Sequence, residues 1–397
     1  MELYWIWFSL LEDLKFQQKL ALLQKFSSPE DIYNSKDNAL KALDRDIGKA
    51  QRVAKQCRDK KIGVLPLGAE AYPYRLRNTA EPPLVLYYKG KLPDFSAQPV
   101  IGVVGTRKAS PYGLNTARLL SRQIATCGGM VVSGGAFGVD TMAMCGALDT
   151  GKPVVCVLGC GVDVVYPRSN QKLFEQVIEE GCLLSEYLPG EKPERWHFPR
   201  RNRIISGVSN GVLVVEAPEK SGALITARTA NEQGRDVYAV PGNIDVAACA
   251  GSNALLQDYA MAVCSGWDVL RQYEAQYPGV VVQREPVCLQ DTKLLLETPG
   301  KEKREQTVKT PAPSDKKNID KPSSCQYSGI DISRLTEQER QVLAAMGTTP
   351  CDLDEVIARV ELPAPVTVRL VTRLTLKGFI ENYSGRTVSA KVEIPER

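Results

Sequence analysis

Between Gln98 and Tyr273 the chain alternates short, continuous apolar runs with polar segments of helix length. The runs are VIGVVG (100–105), MVVSGG (130–135), PVVCVLG (153–159), CLLSEY (182–187), GVLVVEA (211–217), DVYAVPG (236–242) and MAVCS (261–265). Val-rich runs without a period-two alternation predict strands buried on both faces. Their alternation with helices predicts an α/β domain over 96–274 built on a doubly wound, mostly parallel sheet. Ligands of such sheets bind beyond the carboxyl ends of the strands, so the loops after these runs are where chemistry is expected.

The flanks read differently. From Met1 to Phe95 apolar residues fall at helical spacing, as in Leu14, Ala21, Leu22 and Phe26, and then Ala50, Val53, Ala54 and Cys57, which predicts a small helical domain with an extended tail. Its first segment, MELYWIWFSLLED, lacks a basic leader, carries Glu2, Glu12 and Asp13, and is too short to span a bilayer. It reads as a buried amphipathic helix. The stretch from Glu297 to Ser328 is dense in Lys, Pro and Ser, and a flexible linker is expected over about 275–332. Beyond it, over 333–397, three helical segments and a strand pair outline a winged helix-turn-helix. Thr336 and Glu339 form a capping-box pattern there, and Gly378 is placed to end the third helix.

Composition removes several functions. Lys and Arg number 50 against 46 Asp and Glu, a formal charge of +4, so nucleic-acid affinity has to come from local clustering. The single histidine, His197, excludes a multi-histidine metal site. None of the 11 cysteines forms a C-x-x-C pair, and most sit in apolar runs, as expected of buried thiols in a reducing cytoplasm. No metal and no cofactor is expected. A G-x-G-x-x-G pattern is absent, which disfavours a nicotinamide nucleotide.

Four loops carry candidate chemistry. After the first run, Gly105 and Arg107 precede Ser110-Pro111, a cap and first-turn pair; a phosphate at that helix N-terminus and a plain surface arginine are equally good readings. After the second, Gly134, Gly135 and Gly138 lead to Asp140, which reads first as a helix cap. After the fifth, Lys220 and Ser221 open a helix, with Ser221 a cap or phosphate contact and no base nearby to make it a nucleophile. The densest signal is KPERWHFPRRNR (192–203), five basic residues interleaved with Trp196, His197 and Phe198. Such a segment supplies phosphate contacts and flat faces for unstacked bases. The competing reading packs the aromatics in the core and pairs the arginines with Glu186, Glu194 and Glu216.

The series GTRKASPYG, SGGAFGVDTMA, LGCGVDVVYPRSN, SEYLPG, FPRRNRIISGVS, VVEAPEKSGALITA, GRDVYAVPG and GSNALLQ, spanning about Ile62 to Leu270, closely resembles the DNA-processing protein A (DprA, or Smf) family. That resemblance implies a Rossmann-like domain that binds single-stranded DNA, usually as a homodimer, and helps load the RecA recombinase in natural transformation. It implies no catalysis. Carried over by motif, Arg107, Arg168 and Arg195 are the basic contacts, Phe198 the base-contacting aromatic, and Arg201-Asn202-Arg203 the R-N-R motif. With Gly105, Gly134, Gly135, Lys220 and Ser221 they form the expected DNA-binding set. The chain departs from the family pattern at Met144, usually histidine, at Tyr259, commonly glycine, and in lacking an evident glycine-rich hairpin near Leu14 to Lys19. An alternative, a nucleotide phosphoribohydrolase on the related LOG scaffold, would need a glutamate that KSGALITARTA does not supply.

Overall fold

A computed structural model describes residues 2–41, 43–284, 335–349, 351–360, 362, 364–376, 379–382 and 387–390. They fall in two compact units, within Met1–Glu302 and within Lys303–Arg397. From residue 285 onward the expected linker lies outside the described residues.

The first unit opens with α1 (Glu2–Ser9), α2 (Phe16–Lys25), α3 (Pro29–Asn34) and α4 (Gly48–Asp59), followed by β1 (Gly63–Pro66), the single turn α5 (Tyr74–Arg77) and β2 (Val85–Gly90). Next come β3 (Val100–Val104), α6 (Pro111–Thr126), β4 (Met130–Ser133), α7 (Val139–Leu148), β5 (Val154–Val157), α8 (Gln171–Glu180) and β6 (Cys182–Ser185). The unit continues with α9 (His197–Val208), β7 (Gly211–Val214), α10 (Gly222–Glu232), β8 (Asp236–Ala239), α11 (Ala250–Asp258), β9 (Met261–Ala262) and α12 (Gly266–Leu270). All seven apolar runs are strands. With β1 and β2 they form one nine-stranded sheet in the order β1-β2-β6-β5-β4-β3-β7-β8-β9, in which β3 to β9 run parallel to one another.

Both faces of the central strands are buried, as continuous Val-rich runs require. Ile101, Val103, Val131, Val154 and Cys156 pack on one side with α6, α7 and α8. Val100, Val104, Val132, Val155 and Val157 pack on the other with Ile204, Ile205 and Val208 of α9 and the alanines of α10. The stretch read as a helical domain with an extended tail holds the four helices α1–α4, and its tail adds two antiparallel strands, β1 and β2, to the edge at β6. Helix α1 is not amphipathic. Trp5, Ile6, Trp7 and Phe8 are four consecutive buried residues, so burial runs around the helix rather than along one stripe, and they belong to the same core as Ile101 and Val103.

The strand order reverses between β3 and β7. From β3 the chain builds outward through β4, β5 and β6; β7 then returns to the other flank of β3 and leads to β8 and β9. That reversal opens a crevice at the strands' carboxyl ends.

The second unit contains α13 (Glu337–Met346), β10 (Cys351–Asp352), α14 (Leu353–Arg359), α15 (Ala364–Leu376), β11 (Ile380–Asn382) and β12 (Thr387–Ala390). Its three strands pair in the order β10-β12-β11, one more than the expected pair. The capping box forms: Glu339 N donates to Thr336 Oγ1 at 3.3 Å, and Thr336 N to Glu339 Oε2 at 2.9 Å. Gly378 lies outside the described residues. Of the described cysteines Cys264 is exposed, contrary to the expectation of buried thiols, and six are buried.

Candidate functional site

At the switch point lies a cleft of about 530 Å³. Three segments line it: the turn after β3 (Gly105, Thr106, Arg107), the turn after β7 (Pro218, Lys220, Ser221), and one face of α9 (Phe198, Arg201, Asn202, Ile205). Backbone bonds clamp these turns together. Thr106 N donates to Glu216 O at 2.7 Å and Val139 N to Thr106 O at 3.3 Å. A side chain at Gly105 would meet Val139 Cγ2 at 2.5 Å and Glu216 O at 2.9 Å, so only glycine permits this approach.

The phosphate position expected at the N-terminus of α6 is filled from within. Ser110 caps that helix through Gly113 N at 3.0 Å, as its sequence predicts, and the buried Glu216 carboxylate accepts from Ser110 N at 2.8 Å. Asp140 is likewise not the cap of α7, a position held by Gly138; its buried carboxylate faces Arg201 across Gly134. Burial raises the Asp140 pKa and the Arg201 guanidinium opposes that rise. The start of α10 holds no such carboxylate. There Ser221 Oγ accepts from Ala223 N at 3.2 Å, and Lys220 and Ser221 both line the cleft.

The arginines of the basic segment separate. Arg201 is 3% exposed and donates from Nη1 to Gly134 O at 2.6 Å and to Val157 O, tying the ends of β4 and β5. It supports the cleft floor. Arg203 points away, pairing with Glu186 and donating to Glu81 O at 2.6 Å, and Arg200 lies 3.6 Å from Glu186. For these two the ion-pair reading of the sequence holds. Arg168 is exposed beyond the cleft lining, while Gly134 and Gly135 line a smaller adjoining depression with Phe137, Tyr166 and Phe198.

What remains facing the cleft is Arg107, Arg195 and Lys220, none ion-paired among the described residues, with buried Arg201 behind them and Asp140 as the one lining carboxylate. The Arg107 guanidinium lies 5.1 Å from the centre of the Phe198 ring, whose other neighbour is Tyr166 at 5.6 Å. The two rings are tilted at 44°, and Tyr166 is 42% exposed, so this pair presents an open aromatic surface. Trp196 is exposed but bonds Glu194 outside the cleft, and His197 is buried against the Gly159 carbonyl at 3.0 Å. Sequence reasoning missed Glu216 as an internal anion and Asn170, whose amide donates to Gly135 O at 3.1 Å and to Thr141 Oγ1 at 2.8 Å. No local pattern marks either, because each acts across a long separation in sequence. Among the described residues, no cluster of three His, Cys, Asp or Glu could hold a metal ion, and no helix is long and apolar enough to cross a membrane.

The chain is 40% identical over 224 residues to DNA processing protein DprA of Bacillus subtilis, covering 56% of this chain and 75% of that one. It is 42% identical over 205 residues to DprA of Streptococcus pneumoniae, covering 52% and 72%. The X-ray structure of the S. pneumoniae protein aligns with a TM-score of 0.58 at 34% identity over 68% of this chain and 98% of that one. A Helicobacter pylori DprA structure, described for its single-stranded DNA binding mode, aligns at 0.50 with 28% identity over 55% and 97%. The family model of DNA recombination-mediator protein A matches residues 63–274, the DprA winged helix domain matches 331–386, and the chain belongs to that family.

Proposed function

We propose that the switch-point cleft binds single-stranded DNA without catalysis. The observation that carries this reading is the convergence of Arg107, Arg195 and Lys220, none ion-paired among the described residues, beside the tilted Phe198–Tyr166 pair. Phosphates neutralise the cations, and an unstacked base stacks on an aromatic face of the Phe198–Tyr166 pair, a contact worth roughly 1–3 kcal/mol. A duplex keeps its bases stacked and loses that term. Gly105, Ser221 and Asn202 complete the contact surface, Arg201 positions it, and Gly134, Gly135 and Arg168 extend it towards the adjoining depression. Arg203 drops out of the contact set. Catalysis is disfavoured because Asp140, the only lining carboxylate among the described residues, is buried against Arg201 and is not free to act as an acid or base. The binding mode described for the H. pylori relative supports the same ligand.

On the family resemblance we extend this to a protein that delivers single strands to the RecA recombinase in natural transformation, in the cytoplasm and as a homodimer. A second copy is proposed to dock at the sheet edge at β9, which pairs only with β8 among the described residues and where Tyr259 and Met261 are exposed. The test is fluorescence anisotropy with a labelled oligothymidine and the matching duplex. Tight binding of the single strand, lost in Arg107→Ala/Arg195→Ala with the circular dichroism spectrum unchanged, is expected. Equal affinity in the double variant would overturn the assignment of the cleft. RecA delivery is tested separately, by strand exchange on DNA coated with single-strand-binding protein.

A further inference from the structure

Helix α9 divides two clefts. Phe198, Arg201, Asn202 and Ile205 share one face and line the first. Arg200 and Arg203 lie on another face and line a second cleft, of about 450 Å³, closed on its far side by the loop after α1, by α2, and by the segment leading into β2.

This second cleft is built for polar recognition and has unmet hydrogen bonds. Glu186, its side chain 9% exposed, gives one carboxylate oxygen to Arg203; the other, Oε1, stands 3.6 Å from Arg200 Nε and has no hydrogen bond. Lys19, 8% exposed, donates to Ser9 O at 3.1 Å, and its ammonium has two further protons. Buried polar groups are normally satisfied, so unmatched acceptor and donor atoms lining one cavity point to a ligand carrying both. The charges balance, with Lys19, Arg200 and Arg203 against Glu12, Glu81 and Glu186, which disfavours a phosphate. Leu14, Phe16, Pro82 and Pro83 supply apolar walls for a flat ring.

We propose that this cleft takes an unstacked thymine or guanine base of the bound strand, Glu186 accepting from its ring N–H and Lys19 donating to the adjacent C=O. The proposal rests on the first cleft being the strand-binding site. The shared helix favours a base over a peptide amide, which has the same edge: Arg200, its side chain 56% exposed, stands at the rim and meets the backbone of a strand leaving the first cleft. Reading a base at its Watson–Crick edge is how unpaired strands are recognised with sequence preference.

The test compares an oligothymidine with its N3-methylthymidine counterpart, equal in charge and length but lacking the N–H, by anisotropy on the full chain. Binding at least about fivefold tighter to the unmodified strand is expected, with the ratio falling to about one in Leu14→Trp, which fills the cleft, and in Lys19→Met. Arg107→Ala should weaken both strands alike and keep the ratio; if it weakens neither, the first cleft's assignment fails independently of this one. Equal affinities in the wild type, or a ratio that both cleft variants preserve, would overturn the proposal. A 5-iododeoxyuridine strand photocrosslinked to the wild-type protein gives a readout that needs no variant. Crosslinks within residues 9–19 or 81–87 support the base. Crosslinks confined to the surroundings of Phe198 overturn it and leave a peptide amide as the fitting chemistry.

Discussion

Arg201 shows how a charged residue in a basic motif can be structural. Its guanidinium is buried, bonded to the carbonyls ending β4 and β5, and faces the Asp140 carboxylate. Removing one member of a buried charge pair strands the other, typically at about 3–5 kcal/mol. Arg201→Met should therefore lower unfolding stability in urea by about 3 kcal/mol or more, and Arg201→Met/Asp140→Asn should recover at least about 1 kcal/mol of it. Strict additivity of the two single changes would show that the pair is not coupled. Lys19 carries the opposite imbalance. Burial lowers its pKa from 10.5 to about 8, so below pH 8 the folded state holds a charged, desolvated ammonium. Between pH 8 and 10.5 the unfolded chain binds more protons, and stability from this group rises with pH. Lys19→Met should raise the melting temperature at pH 7 by a few degrees, roughly 1 kcal/mol, and flatten that rise. A lower melting temperature at pH 7 would mean that the bond to Ser9 outweighs the desolvation.

At the scale of elements, the strongest constraint is the crossing of α6 and α7. A side chain at Gly146 would meet the Arg118 carbonyl oxygen at 2.1 Å and its Cα at 2.9 Å, both backbone atoms that move only if the helices separate. Gly→Ala in a helix interior gains up to about 1 kcal/mol in propensity, but overpacking of a closed interface costs typically 1–3 kcal/mol. The second effect should win, so Gly146→Ala lowers the denaturant midpoint, and a higher midpoint would show that the helices part easily. The same scale explains what was legible in the sequence. Strands β3 to β8 were readable because burial writes a continuous apolar run, whereas β9, whose two residues are exposed, was readable only from its place after the last helical segment. Strands β1 and β2 were not, because they follow a helical pattern, β1 is a four-residue edge strand, and the pairing of β2 with β6 spans nearly a hundred residues. In the basic segment the sequence announced an anionic site but not which arginine faced it. Once α9 is known to be a helix, its periodicity sorts Phe198, Arg201 and Asn202 from Arg200 and Arg203.

For the whole molecule, a formal charge of +4 on 397 residues gives almost no long-range pull on DNA, so affinity and its salt dependence belong to a few local cations. Each phosphate neutralised on a single strand contributes about −0.7 to the slope of log K against log salt, so Arg107, Arg195 and Lys220 together predict a slope near −2. Arg107→Ala/Arg195→Ala should bring that slope to about −0.7 as well as weakening binding, because two counterion-releasing contacts are gone. Arg203→Ala should leave the slope where it was, since that guanidinium already serves Glu186 and turns away from the cleft. Anisotropy titrations of an oligothymidine at four or five salt concentrations measure all three slopes. A slope much steeper than −2 in the wild type would mean that further cations, such as Arg168 or those of the winged-helix unit, join the strand. A slope that Arg203→Ala reduces and the double variant does not would move the phosphate path from the first cleft to the second.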